Sequence, residues 1–173
     1  MLGHWGAGKT SLVSRYVNQV FDEQYQATIG VKMDTKEVIV GEQNIKMVLW
    51  DIAGSENNFN MPMHFVSGAA GFILVVDGTS RDSFEHGLEL LKLIHSELGK
   101  LPFVIAINKN DLKWHFESSE IESYFNLDDL ALDNIDLHDI DLQDMEKVEW
   151  LSTSAKTGEN VESTFLTLAK KIA

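Results

Sequence analysis

Short apolar runs that alternate with longer helical patterns predict an α/β fold, in which strands joined by crossover helices build a mostly parallel sheet with helices on both faces. A glycine-rich loop just ahead of the first helical pattern supports this, and so does the polar stretch Asn108-Lys109-Asn110-Asp111 at the end of an apolar run. With 173 residues and 44% hydrophobic content, residues 1–173 fit one three-layer domain with a core of its own.

The elements follow in order. A helix is expected from Lys9 to about Val20, an edge strand near Lys36 to Val40, and a turn at Gly41-Glu42-Gln43-Asn44 leading into a strand from Ile45 to Trp50. Phe72 to Val76 and Phe103 to Ile107 are near-continuous apolar runs and predict buried strands, separated by a helix over roughly Ser83 to Leu98. Ser119 with Glu122 three residues on fits a capping box for a helix reaching Phe125. The last strand is expected near Val148 to Leu151, and an amphipathic helix from Glu159 to Ile172 follows it.

Residues 127–146 break this rhythm. They divide into four pentads, Leu-Asp-Asp-Leu-Ala, Leu-Asp-Asn-Ile-Asp, Leu-His-Asp-Ile-Asp and Leu-Gln-Asp-Met-Glu, with apolar residues at positions one and four. Neither helix nor strand shares that period, so no single amphipathic face results. One turn of a small solenoid and an irregular acidic insertion packed on the domain are the two readings.

The formal charge is −13, but residues 117–146 hold eleven Asp or Glu and no Lys or Arg, which leaves 16 acidic and 14 basic residues elsewhere. The acidity is therefore local. It argues against nucleic acid and anionic lipid as partners of that face. No apolar stretch approaches a membrane span and the chain carries no cysteine, so disulfides, thiolate metal sites and direct prenyl or palmitoyl anchors are not expected. A cytoplasmic location is the default. His64, His86 and His95 lack a second ligand at useful spacing and are expected on the surface or in packing.

Gly3-His4-Trp5-Gly6-Ala7-Gly8-Lys9-Thr10, followed by Ser11, matches the phosphate loop of P-loop nucleotide enzymes. Its glycines let backbone N–H groups close around phosphate oxygens, Lys9 supplies a charge near the β- and γ-phosphates, and the Thr10 hydroxyl is suited to Mg²⁺. In Asp51-Ile52-Ala53-Gly54 an aspartate at a strand's carboxyl end can reach the metal through water, and the Gly54 N–H can face the γ-phosphate. Thr28 lies in the polar loop between these motifs and offers a second hydroxyl to the ion. The Asp111 carboxylate can accept from both the ring N–H and the exocyclic amine of guanine, a pair that adenine lacks. Asn108 can hold the loop and the base, the Lys109 stem can pack along the ring, and Ser154-Ala155-Lys156 can add a backbone N–H toward the guanine oxygen. An ATP-using P-loop kinase would leave the last two motifs without a role.

On these residues the chain resembles the small GTPases of the Ras superfamily, most closely the Rab branch. Phe21-x-x-x-Tyr25-x-x-Thr28-Ile29-Gly30-Val31, Trp50 to Gly54, Gly68-Ala69, Asp77, Asn108 to Asp111 and Ser154 to Val161 fall in that family's order, and only residues 127–146 stand outside it. The resemblance implies a six-stranded P-loop sheet, GTP or GDP bound with Mg²⁺, and effector and regulatory proteins that bind through two switches. Thr28 would belong to the first switch, Asp51 to about Phe65 would form the second, Phe21 would pack against the guanine edge, and Tyr25 would be a further nucleotide-binding residue.

Two positions depart from the family. Ser55 stands where a water-orienting glutamine is usual, and Trp5 stands at a phosphate-loop position that is small in most relatives. Slow GTP hydrolysis, with Lys9, Thr28, Gly54 and Ser55 nearest the chemistry, is the first expectation. A pseudo-GTPase held in one nucleotide state and acting as a binding module is the alternative. Only Met1 and Leu2 precede Gly3, where a strand of about five or six residues leads into a P-loop, so a truncated first strand and a longer natural polypeptide are expected.

Overall fold

The computed structural model describes residues 1–24, 27–54, 63–114, 116, 117, 119–121 and 148–173. Among these the chain forms β1 (Leu2–Gly3), α1 (Lys9–Asn18), β2 (Val31–Val40), β3 (Gln43–Ile52), β4 (Phe72–Asp77), α2 (Arg81–Leu98), β5 (Phe103–Asn108), β6 (Trp150–Ser152) and α3 (Val161–Ile172), with a 3-10 turn at Met63–Phe65 between β3 and β4. The four pentads of residues 127–146 lie outside the described residues, as do Tyr25, Ser55 and Glu122. Among the described residues no helix is long and apolar enough to cross a membrane.

The two near-continuous apolar runs form the centre. β4 and β5 pair in parallel from Phe72↔Phe103 to Asp77↔Asn108, with β1 on the far side of β4 and β6 on the far side of β5. Alternate residues of a strand face opposite ways, and both faces here are covered. Leu74, Val76, Ile105 and Ile107 pack with Phe84, Leu91 and Ile94 of α2, whereas Ile73, Val75, Val104 and Ala106 pack with Leu12, Val13 and Tyr16 of α1 and with Phe165, Leu168 and Ala169 of α3. The result is the predicted three-layer α/β arrangement. Each fully buried large side chain stabilises it by about 1.5–3 kcal/mol.

Six strands are present among the described residues, but their hydrogen bonds divide them into a four-stranded parallel sheet and a two-stranded antiparallel ribbon, β2–β3. β1 has two residues and pairs with β4; toward β3 it offers the Met1 amine, which donates to the Trp50 carbonyl at 2.7 Å. Side chains hold the ribbon in place instead. Met47 and Leu49 enter the core beside Tyr16, and Lys36 donates to the Tyr16 carbonyl at 2.6 Å with its ammonium over the ring. The ribbon is longer than expected because its ten-pair ladder, Val31↔Ile52 to Val40↔Gln43, closes on a two-residue turn. Gly41 takes φ 61° as the first turn residue, the position that a type II′ turn reserves for glycine.

Three boundaries shift for local reasons. α2 starts at Arg81, ahead of Ser83, because the Ser80 hydroxyl caps it by accepting from the Ser83 N–H. β6 falls at Trp150–Ser152, where it meets Ile105 to Ile107. Ser119 is itself helical, and the Glu117 carbonyl accepts from the Glu120 and Ile121 N–H groups at 3.0 and 3.1 Å, while the Glu117 N–H donates to the Glu120 carboxylate at 3.0 Å.

The Phe165 ring stacks on Tyr16 with centroids 3.9 Å apart and planes 2° from parallel, joining α3 to α1. Phe165→Ala is expected to cost about 3–5 kcal/mol. The check is a lowered urea midpoint at unchanged m-value.

Candidate functional site

α1 begins without a side-chain cap. Its N-cap, Gly8, takes φ 95°, and a β-carbon there would fall 2.3 Å from Asn108 Nδ2, so glycine alone fits. No acidic residue occupies the first turn, so its unpaired N–H groups and the positive end of the helix are open to an anion. Lys9 is 6% exposed and donates to the Gly3 and His4 carbonyls at 2.9 and 3.0 Å. Burial lowers its pKa to about 8, against the pull of Asp51, and an anion beside it would raise it again. Gly3 therefore holds the lysine from beneath the loop.

Three side-chain oxygens meet at Thr10. Its hydroxyl donates to Asp51 Oδ2 at 2.6 Å, so Thr28 is the donor in the 2.5 Å contact between the two threonine hydroxyls. Asp51 is 1% exposed and its Oδ1 has no hydrogen-bond partner among the described residues. Such an oxygen costs about 1–3 kcal/mol when left unpaired. Burial accordingly raises the Asp51 pKa, with the Thr10 hydrogen bond as the main opposing influence. A hard divalent cation, or a water bound to one, satisfies this oxygen set, so the residues fit Mg²⁺. The chain leaving β3 then crosses the phosphate loop closely: a β-carbon on Gly54 would lie 2.6 Å from Lys9 Nζ and 2.7 Å from Trp5 Cα.

The opposite end is built from the loops after β5 and β6. Asn108 donates from Nδ2 to the Ala7 carbonyl at 2.9 Å and accepts at Oδ1 from the Ala155 N–H at 3.2 Å, so its amide joins the phosphate loop to the last loop. Lys109 sits at φ 69° with Nζ 2.5 Å from Asp77 Oδ2. Asp77 is held in turn by the Thr79 N–H and hydroxyl on its other oxygen. The Ser154 hydroxyl donates to Asp111 Oδ1 at 2.6 Å and orients that exposed carboxylate.

Lys9 and Asp111 line the same cleft, of about 530 Å³. Gly6, Gly8, Thr10, Ser11, Phe21, Thr28, Gly54, Asn108, Lys109, Ala155 and Lys156 line it with them. Gly3, Ala7, Asp51 and Ser154 stand behind that wall and act through Lys9, Asn108, Thr10 and Asp111. The Ras family model matches residues 1–173.

The chain belongs to the Ras family. Within it the similarity is to the Rab branch: 38% identity over 176 residues with the Ypt/Rab-type GTPase YPT7 of Saccharomyces cerevisiae, covering 98% of this chain and 78% of that one. Ras-related protein Rab7 of Drosophila melanogaster is 34% identical over 176 residues, covering 98% of this chain and 77% of its own. Ras-related protein RABG3f of Arabidopsis thaliana is 34% identical over 177 residues, covering 98% and 79%.

This Rab-branch chain adds cleft residues that motif reading passed over. Ser14, Asp22, Glu23, Gln24 and Leu112 line the wall beside recognised positions, and sequence adjacency to Phe21 and Asp111 was the available signal for the last four. Arg15 reaches the Ala155 and Lys156 carbonyls from α1. A basic residue in a helix's last turn ordinarily reads as a partner of the helix dipole, which hides such a contact.

His86 fills the space under the phosphate loop, its ring 4.8 Å from that of His4 in an edge-on arrangement. Burial, then His4 and Lys9, lowers its pKa from 6.5 to about 4. Below pH 6.5 the unfolded chain takes up a proton that the folded chain refuses, so this histidine's contribution to stability is complete above 6.5 and is lost as pH falls toward 4. Urea midpoints measured across that interval should fall more steeply for the wild type than for His86→Gln.

Proposed function

We propose that this chain is a guanine-nucleotide switch that binds GTP or GDP with Mg²⁺ and hydrolyses GTP slowly. The observation that carries the proposal is the single cleft with Lys9 at one end and the Asp111 carboxylate at the other. The uncapped N–H groups of α1 and the Lys9 ammonium take the phosphates. Asp111 accepts the ring N–H and amine of guanine, the Lys109 stem and Phe21 flank the base, and Asn108 locks the base loop to the phosphate loop. The backbone of Ser154-Ala155-Lys156 faces the guanine oxygen.

Thr10, Thr28 and Asp51 are the residues to hold Mg²⁺, which when bound neutralises charge on the phosphate oxygens. Lys9 holds the γ-phosphoryl group and the Gly54 N–H faces it. Water attacks the γ-phosphorus, the bond to the bridging oxygen of GDP breaks, and inorganic phosphate leaves. Ser55, which lies outside the described residues, has a side chain too short to orient that water as glutamine does. Trp5 is 48% exposed at the cleft beside Gly54, where it crowds the γ-phosphate end and restricts entry of a helping arginine. That exposed indole is also the observation favouring the second reading, a pseudo-GTPase binding module held in one nucleotide state.

Effector and regulatory proteins bind, in this proposal, at the switches and the outer face of the β2–β3 ribbon. Met33 (61% exposed) pairs across the ladder with Trp50 (37%), Val48 (53%) lies two residues along, and the Trp50 ring contacts Phe65. Such contiguous apolar exposure marks a protein contact. A cytoplasmic setting is consistent with these partners.

A competition titration should show GTP and GDP binding far more tightly than ATP. Asp111→Asn should weaken GDP by about 100-fold while leaving weak ATP binding unchanged, because two guanine N–H groups lose their acceptor. Equal affinity of the wild type for GTP and ATP would refute the switch. In single-turnover assays the double variant Trp5→Gly, Ser55→Gln should hydrolyse GTP at least about tenfold faster than the wild type; an unchanged rate, with measurable turnover in both, would refute the role of these two residues.

A further inference from the structure

The segment 154–157 after β6 has no ladder or helix of its own, yet each residue is tied. The Ser154 N–H donates to the Glu159 carbonyl at 3.1 Å, the Ala155 N–H to Asn108 Oδ1 at 3.2 Å, and the Thr157 N–H to Ser154 Oγ at 3.1 Å. The carbonyls of Ala155 and Lys156 converge on one side chain from the other end of the sequence. Arg15 Nε donates to the Ala155 carbonyl at 2.7 Å, Nη2 donates to the Lys156 carbonyl, and Nη1 donates to the Gln19 carbonyl at 3.2 Å.

A guanidinium is planar, permanently charged and carries its donors in a rigid fork. One such group bonded to two successive carbonyls fixes the orientation of two adjoining peptide planes, which a single ammonium cannot do. We propose that Arg15 is a positioning residue for guanine recognition, clamping the base loop to the helix that holds the phosphates; this rests on the guanine-switch reading above. Arg15 lies six residues after Lys9, about 9 Å along α1. The helix therefore acts as a rigid gauge between the phosphate cradle and the Ala155–Lys156 backbone. From there the placement passes to Ser154, whose hydroxyl aims the Asp111 carboxylate.

The bland reading of the same residue is a helix C-terminal cap, through Nη1 and Gln19. The two readings differ in what is lost on substitution. A cap contributes stability without regard to the base; a clamp on the base loop contributes discrimination between bases.

The test uses the full chain with Mg²⁺ and radiolabelled GDP or IDP, the latter lacking the exocyclic amine that Asp111 would accept. Dissociation rates and equilibrium affinities are measured for wild type, Arg15→Ala and Arg15→Lys. Arg15→Ala should release GDP about tenfold faster, as expected for the loss of charge-assisted hydrogen bonds that orient the loop. Its preference for GDP over IDP should shrink at least about threefold, and Arg15→Lys, with one donor head, should fall between. An unchanged GDP-to-IDP preference in Arg15→Ala overturns the clamp, whether or not release quickens. If Arg15→Ala does not fold, the same ratio in Arg15→Lys decides, and failure of both to fold makes Arg15 structural and overturns the assignment. A wild type that binds guanine nucleotide no better than ATP instead sinks the switch reading itself.

Discussion

The amide of Asn108 is the constraint on which the cleft depends. It stands at the carboxyl end of the central strand β5, 2% exposed, and spends both of its polar atoms on other loops. Nδ2 holds the phosphate loop at Ala7, and Oδ1 holds the loop after β6 at Ala155. A buried amide in this position has a high cost of disconnection, since removing one partner leaves the other unpaired in a poorly solvated site. Gly8 is required for the same reason: any side chain there would occupy the space of the Asn108 amide.

Around this knot the architecture follows from where strands end. β4 and β5 run parallel and finish side by side at Asp77 and Asn108, so the loops leaving them emerge on one edge of the sheet. In open α/β sheets that edge is where ligands are held. The Lys109–Asp77 ion pair sits across the same pair of strand ends and is partly exposed, with side chains 33% and 12% accessible. Its contribution is chiefly to fix Lys109 at its left-handed backbone position, since ion pairs in contact with water add little net stability. The apolar layers beneath provide the stiffness, with Val75, Val76, Ile105 and Ile107 fully buried beside the glycine-rich turn.

Much of this was legible in the residues. β4 and β5 declared themselves because a strand buried on both faces has no polar alternation to confuse it, and the phosphate loop did so because glycine, lysine and threonine occur at that spacing for a stereochemical reason. Asp51, Thr28 and Thr10 were named from their chemistry and their place among the motifs, and the fold brings their oxygens together. What stayed hidden were contacts between distant segments. Nothing in the local sequence says that Arg15 reaches Ala155, 140 positions away, or that Ser80 caps α2 ahead of the more apolar stretch. The division into two hydrogen-bonded sheets was likewise unreadable, because a two-residue strand leaves no pattern from which its neighbours can be inferred.

Trp50 and Asp51 are consecutive on β3 and therefore point to opposite sides of the ribbon, one to solvent and one to Thr10. Pleating sets them on opposite faces of the ribbon, one peptide apart. The parity of the hairpin is thus part of its chemistry. Deleting any one residue between Gly41 and Trp50 would exchange inside for outside along the strand, burying the indole and stranding the acid in water.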